Sequence, residues 1–294
     1  MTRPEIAPET SADYDARATV SAAEFDSIMA EYRRRSDAAV ADLTGAAGLV
    51  YDTPSGQRLD IWGTGDEPRP VFFVVHGGYW RMLAREDTAF MADALAADGI
   101  ATVAVDYGLA PSTSLPEIVR QVRTALAWVY RNGRDYGLDV DRIVVGGSSA
   151  GAHLAAMTMV PGWQDAAGVP ESTARAGLLL SGLYDLRPLV HAPANAWLGL
   201  TPESADAVSP ARCSPPAAPV VVAMAESEAG GFHQQSRDLH RQWSGAGTAE
   251  PLTVPDRNHF DVFLDLADPS STLSDSLRRL IAGTADPLPN DSET

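Results

Sequence analysis

Apolar residues in this chain recur in two rhythms. The first is the short unbroken run: "PVFFVV" at 70–75, "IATVAVDY" at 100–107, "RIVVGG" at 142–147, "AGLLLSG" at 176–182 and "APVVVAMA" at 218–225. Runs of this length and composition predict strands buried on both faces, and a shorter one is expected near Leu252 to Val254. The second rhythm is the three-to-four-residue spacing of one helix face. Phe25, Ile28, Met29 and Tyr32 follow Ser21-Ala22-Ala23-Glu24, a capping box. A helix over 86–98 closes at Gly99. Ser114-Leu115-Pro116-Glu117 reads as a second capping box, opening a helix with Ile118, Val122, Ala125, Leu126 and Val129 on one face and Gly133 at its end. Phe232, Ser236, Leu239 and Trp243 mark a later helix, and Leu273, Leu277, Leu280 and Ile281 the last. Before the first buried run, "LVYDTPSGQRLDIW" predicts a hairpin turning at Pro54-Ser55-Gly56.

Strands alternating with amphipathic helices predict an α/β domain with a mostly parallel central sheet flanked by helices. Residues 183–217 break the rhythm with Pro188, Pro193, Pro202, Pro210, Pro215 and Pro216, and are expected to form an insertion or small cap over one end of the sheet. The expected organisation is a segment 1–47, whose helix packs on the core or cap, a main domain 48–282, and a disordered tail 283–294. The first twenty or so residues, rich in Pro, Thr, Ala and Asp, are expected to be loose or draped over the surface.

Composition narrows the function. The 294 residues carry a net charge of −17, so nucleic acid and anionic membranes are not expected as partners. All 22 basic residues are arginine, which excludes a lysine Schiff base and a P-loop lysine. Cys213 is the single cysteine, so no intrachain disulfide and no multi-cysteine metal site can form. Neither a signal core nor an 18-residue apolar run is visible, and a cytoplasmic protein is the expectation. No metal and no organic cofactor is implied. The expected partner is a small-molecule substrate, with a homodimer as an option.

The chemistry gathers at predicted carboxyl ends of strands, where an open parallel sheet places its functional groups. Gly147-Ser148-Ser149-Ala150-Gly151 fits G-x-S-x-G between a strand and a helix. That pattern makes a sharp turn whose central serine projects its hydroxyl, so Ser149 is the candidate nucleophile and Ser148 a turn residue. A serine needs a base. Of the six histidines, His259 in "VPDRNHFDVF" lies past the last strand at the same sheet edge. His153 is tied to the helix after Ser149 and reads as packing. His233 and His240 read as exposed helix positions, while His191 in the insertion could face substrate. The acid that fixes the imidazole is Glu226 or Glu228, both just past "APVVVAMA", with Asp185 a weaker rival. The chain order Ser, Glu, His is that of α/β-hydrolases. His76-Gly77-Gly78-Tyr79-Trp80 follows the strand that supplies the oxyanion loop in that fold, so the amides of Gly78, Tyr79 and Ala150 are the candidate oxyanion donors, with His76 an anchor of the loop.

"HGGYW", "DYGLAPSTSLPEIVRQVRTALAWV", "GGSSAGAHLA", "SGLYDLRPL", "ESEAGGFHQQS" and "RNHFDV" together resemble the kynurenine formamidase (arylformamidase) branch of the α/β-hydrolases, near the hormone-sensitive-lipase-like esterases. The resemblance runs from about residue 70 to 265, and "YDARATV" extends it to the N-terminal region. It implies an α/β-hydrolase fold, Ser149 as nucleophile and His259 as base. It also favours Glu228 over Glu226, because the family's acid stands four residues before the phenylalanine matching Phe232. Two departures are visible: aspartate is more familiar at position 228, and "EAGGF" lacks an acidic residue often found before the phenylalanine. The implied activity is cleavage of an N-formyl arylamide such as N-formylkynurenine through a formyl-serine, as in tryptophan catabolism. Trp80, Tyr184 and Trp197, with Tyr79, are aromatic candidates for the wall that holds a substrate ring. A carboxylesterase, a tailoring hydrolase of secondary metabolism and a non-catalytic binding protein are the rival expectations.

Overall fold

A computed structural model describes residues 11–243 and 250–285. The unbroken apolar runs become the centre of one eight-stranded sheet. Its first part is α1 (Ala22–Val40), β1 (Gly45–Asp52), β2 (Gln57–Trp62), β3 (Arg69–Val75), α2 (Ala92–Ala97), β4 (Ala101–Val105) and α3 (Leu115–Asn132). Then follow β5 (Leu138–Ser148), α4 (Ala150–Met159), α5 (Gln164–Ala167), β6 (Ala176–Leu180), α6 (Asn195–Leu198), α7 (Pro202–Ala207), β7 (Val220–Ser227), α8 (Gly230–Trp243), β8 (Leu252–Asn258) and α9 (Thr272–Gly283). The strand order is β1-β2-β4-β3-β5-β6-β7-β8, antiparallel across β1–β2–β4 and parallel elsewhere. This is the α/β-hydrolase architecture expected.

Side chains alternate across the sheet and build two apolar layers. Val71, Phe73 and Val75 face one layer with residues of α3, α4 and α8; Phe72 and Val74 face the other with residues of α1, α2 and α9. Register then brings the site together. Val75 pairs with Gly147 and Ser148 with Leu180, so the ends of β3, β5 and β6 lie side by side. Ser227, the last residue of β7, pairs with Asn258, the last of β8, so the loops that follow leave the sheet together.

Several local expectations change. The helix expected over 86–98 is a 3-10 turn at Arg85–Asp87 followed by the six-residue α2. Ser21 caps α1 by accepting from the Glu24 amide at 3.2 Å, but Ser114 makes no side-chain cap; Pro116 near the start of α3 supplies the fixed φ instead. Residues 1–10 of the segment expected to be loose lie outside the described residues, as do 286–294 of the expected tail. The rest of that N-terminal segment is not loose: Ser11–Tyr14 and Ala16–Thr19 are 3-10 helices, and Tyr14 and Ala16 are buried against the core. Residues 183–217 carry α6, α7 and two 3-10 turns, and Leu186, Leu189, Leu198 and Ala205 run into the same apolar layer as α4.

Candidate active site

Ser149 sits between β5 and α4 with φ +58° and ψ −120°, a conformation that side chains rarely adopt. The turn closes because Gly147 and Gly151 carry no Cβ. A Cβ at Gly147 would stand 2.4 Å from the Val75 carbonyl oxygen, and one at Gly151 2.1 Å from the same oxygen. The strained turn aims the hydroxyl out of the sheet, where His259 Nε2 lies 3.1 Å from Ser149 Oγ. On the far side of the ring, His259 Nδ1 is 2.7 Å from Glu228 Oε2. The carboxylate is fully buried and the imidazole nearly so, which makes the pair electrostatically strong. The three residues are thus brought within hydrogen-bonding reach.

The choice between the two glutamates is geometric. Glu226 is exposed and accepts the Asp256 amide at 3.0 Å, while Asp185 pairs with Arg187. Only Glu228 reaches the imidazole. The His259 loop is itself pinned: Asn258 Oδ1 accepts the Phe260 amide at 2.9 Å, and Tyr32 of α1 donates its hydroxyl to the Phe260 carbonyl at 2.6 Å. The Phe232 ring lies against the imidazole at 4.3 Å between centroids.

Next to the serine, the loop after β3 turns through left-handed backbone at Gly78, Tyr79 and Trp80. Gly77, part of the expected oxyanion loop but not among its candidate donors, approaches the elbow closely: a Cβ there would meet the Ser148 carbonyl oxygen at 2.9 Å and the Ser149 Cβ at 3.7 Å. Gly78 and Tyr79 border the same cavity as Ser149, and Ala150 is the first residue of α4, where helix N–H groups lack internal partners. His76 stacks on Tyr107 at 4.0 Å, its Nδ1 3.0 Å from the Gly77 carbonyl oxygen, and burial lowers its pKa. It holds the loop and does not face the cavity.

The aromatic wall is partly corrected. Trp80 is fully buried and packs edge-on against His153 instead of lining the cavity. Both residues have positive φ, and in this turn the Trp80 ring lies in the core while Tyr79 borders the cavity. Tyr184 is also buried in the core, its amide donating to Gln235 Oε1 at 2.6 Å. Trp197 does line the cavity, edge-on to Tyr79 with centroids 5.6 Å apart, and its indole N–H donates to the Tyr79 carbonyl at 3.3 Å. His191 is exposed and off the cavity. His233, expected on an exposed face, is half-buried, its Nε2 2.8 Å from the Ala225 carbonyl oxygen and 3.8 Å from Glu228 Oε1.

The cavity encloses about 460 Å³, the size of a small-molecule site. Part of its apolar wall was not legible in advance: Tyr14, Phe25, Met29 and Tyr32 come from the N-terminal segment. The helical spacing of Phe25, Met29 and Tyr32 is visible in the sequence, but helical spacing does not tell which neighbour the face will meet, and Tyr14 falls in the stretch expected to be loose. Among the described residues no cluster of His, Cys, Asp and Glu could hold a metal ion, and no helix is long and apolar enough to cross a membrane.

His153 is buried packing, as expected. Trp80 Nε1–H donates to its Nδ1 at 3.2 Å, so Nε2 carries the proton and donates to the Val208 carbonyl at 2.7 Å. Burial pushes its pKa down to about 4. A base whose pKa is lower folded than unfolded favours the folded state above the unfolded value, about 6.5. That contribution is lost as pH falls from about 6.5 to about 4, and amounts to about 3 kcal/mol. Urea unfolding at pH 7, 5.5 and 4.5 is expected to show stability falling with pH, and more shallowly in His153→Gln. A variant with the wild-type slope would exclude this source.

Comparison with known proteins agrees with the geometry. Residues 59–168 match the BD-FAE family. Kynurenine formamidase of Salmo salar is 31% identical over 243 residues, covering 79% of this chain and 81% of that protein. Among solved structures, a Silicibacter protein described as a candidate thioesterase superposes with a TM-score of 0.77 at 25% identity, covering 93% of this chain and 98% of its own. The esterase of Pyrobaculum calidifontis superposes at 0.65 with 20% identity, covering 89% and 92%, and shares the fold. The chain therefore belongs to the kynurenine formamidase family and is a serine hydrolase of the α/β-hydrolase type.

Proposed function

We propose that this enzyme cleaves an N-formyl arylamine, of which N-formylkynurenine is the type, to formate and the free amine. The observation that carries the reading is the hydrogen-bonded line Ser149–His259–Glu228 opening into an aromatic cavity, in a chain whose relative over most of its length is a kynurenine formamidase.

In this mechanism Ser149 Oγ attacks the formyl carbon while His259 Nε2 takes the hydroxyl proton, and Glu228 holds the ring in the required tautomer and offsets its positive charge. The oxyanion receives hydrogen bonds from the amides of Gly78, Tyr79 and Ala150; removing one such donor typically costs about 2.7–4 kcal/mol of barrier. The C–N bond breaks as His259 returns the proton to the departing nitrogen, leaving a formyl ester on Ser149. Water then attacks that ester, His259 again taking and giving the proton, and formate leaves. An arylamine suits this sequence because its nitrogen leaves more readily than that of an alkylamine. Trp197 and Tyr79 supply the apolar surface for its ring.

The test is a comparison of kcat/KM for N-formylkynurenine, with formate quantified, against small aryl esters. The reading expects formamide cleavage at least as efficient as that of the ester. Ester turnover without formate release from the formamide would replace it with a carboxylesterase.

A further inference from the structure

The chain has 39 acidic residues and 22 arginines, so a surface guanidinium seldom lacks a carboxylate nearby. Arg33, Arg85, Arg120 and Arg257 each pair with one. Others, such as Arg69 and Arg123, donate to backbone carbonyls. Arg81 does neither: among the described residues it is the arginine whose guanidinium meets neither a hydrogen-bond acceptor nor a counter-charge. Its one fixed contact is with Trp197, whose ring centroid lies 4.2 Å from the guanidinium carbon. Both residues line the cavity that holds Ser149.

This placement is built by the loop. Arg81 is two residues after Tyr79, and the amides of Arg81 and Met82 both donate to the Gly78 carbonyl, at 3.0 and 3.1 Å. Trp197 is tied to the same loop through the Tyr79 carbonyl. The platform under the guanidinium and the candidate oxyanion amides are therefore parts of one rigid unit. The indole face holds the guanidinium at the cavity, and its N–H groups, with no acceptor among the described residues, are available to receive a carboxylate in a forked pair. The other charged groups on the cavity wall are committed. Arg17 donates to the Val20 and Ser21 carbonyls and lies over Phe25, and Asp15 accepts the Ala18 amide.

We propose that Arg81 is a specificity-determining residue that receives a carboxylate on the leaving group of the substrate. The proposal rests on the formamidase reading for the position of that carboxylate: a formyl group has no room for a charge, so an anion must lie on the amine side. In a chain of net charge −17, which repels anions on average, a local cation at the cavity makes the difference between an acidic substrate and its neutral analogue.

The experiment measures one ratio, kcat/KM for a carboxylate substrate over kcat/KM for its carboxamide. Two matched pairs are used: N-formylkynurenine with its carboxamide, and 3-acetoxybenzoate with 3-acetoxybenzamide. The wild type is expected to favour the acid. In R81Q the ratio should fall roughly tenfold, mainly through KM, and R81K, which keeps the charge without the fork, should fall between. A wild type without preference, or an R81Q ratio within twofold of wild type, overturns the assignment. If only the ester pair turns over, the formamidase reading fails while the ester ratio still decides for or against Arg81.

Discussion

Ser149→Ala is expected to lower kcat by a factor on the order of 10⁵–10⁶, and His259→Ala by a similar factor. The two losses should not add. Once the hydroxyl is gone the base has nothing to deprotonate, so the double variant should be about as active as either single one. Residual turnover above the uncatalysed rate is expected, because oxyanion donors and substrate binding survive. Neither substitution should unfold the protein. Ser149 owes its strained backbone to the surrounding strand and helix, and alanine fits the same space. The measurement is single-turnover formate or phenol release, with circular dichroism and thermal unfolding as the control for folding. An alanine variant at either position keeping more than a hundredth of wild-type kcat would falsify the assignment of nucleophile and base.

The second large effect is structural. Gly151→Ala places a methyl group 2.1 Å from the Val75 carbonyl oxygen and 2.8 Å from that of His76. Both are backbone atoms at the end of β3, so no side chain can swing away. Relief requires α4 to lift from β3, which moves Ser149 and the 76–80 loop apart. A cost of about 4 kcal/mol or more is expected, above the ordinary range for one added methyl. For a chain of this size that lowers the melting temperature by roughly 8–16 °C, and activity should fall even in the protein that remains folded. Gly283→Ala is the contrast: it is exposed at the end of α9 with no atom within 4 Å of the added Cβ, and should be neutral or slightly stabilising. If the two variants melted together, the close-packed elbow would not be the constraint described.

Both predictions concern features readable in the sequence to different degrees. Ser149 and His259 were legible because their signal is local: a serine between glycines at a strand-to-helix junction, and a histidine just past the last strand. The parallel sheet was legible for a related reason, since unbroken apolar runs of five to eight residues suit few other environments. Element ends were read less well. Ser114 has the residue type and spacing of a cap but makes no cap bond, because a type at a position permits a hydrogen bond without requiring it.

The aromatic wall shows where local reading stops. Tyr79 and Trp80 are adjacent, chemically similar and both of positive φ, yet one lines the cavity and the other is buried in the core. Nothing in "HGGYW" encodes that choice. Tyr14 and Phe25 give the opposite lesson. Tyr14 falls in a stretch expected to be loose and Phe25 on a helix expected to pack on the core or cap, yet both end up on the cavity wall, Tyr14 with its carbonyl accepting the Tyr79 hydroxyl at 2.8 Å.

By itself, then, the order of residues determined the sheet, the elbow, the base and the short set of candidate acids. Each of these depends on neighbours within a few positions, where backbone sterics and hydrophobic periodicity act directly. Residue order alone left Glu226 and Glu228 open and the family resemblance favoured Glu228, which the structure places against the imidazole. Tertiary structure alone decided that Trp80 and Tyr184 are core, and that Arg81, among the described residues, is left beside Trp197 with neither acceptor nor counter-charge. Those outcomes depend on side chains from separate elements competing for one volume, and chain separation carries no information about who occupies it.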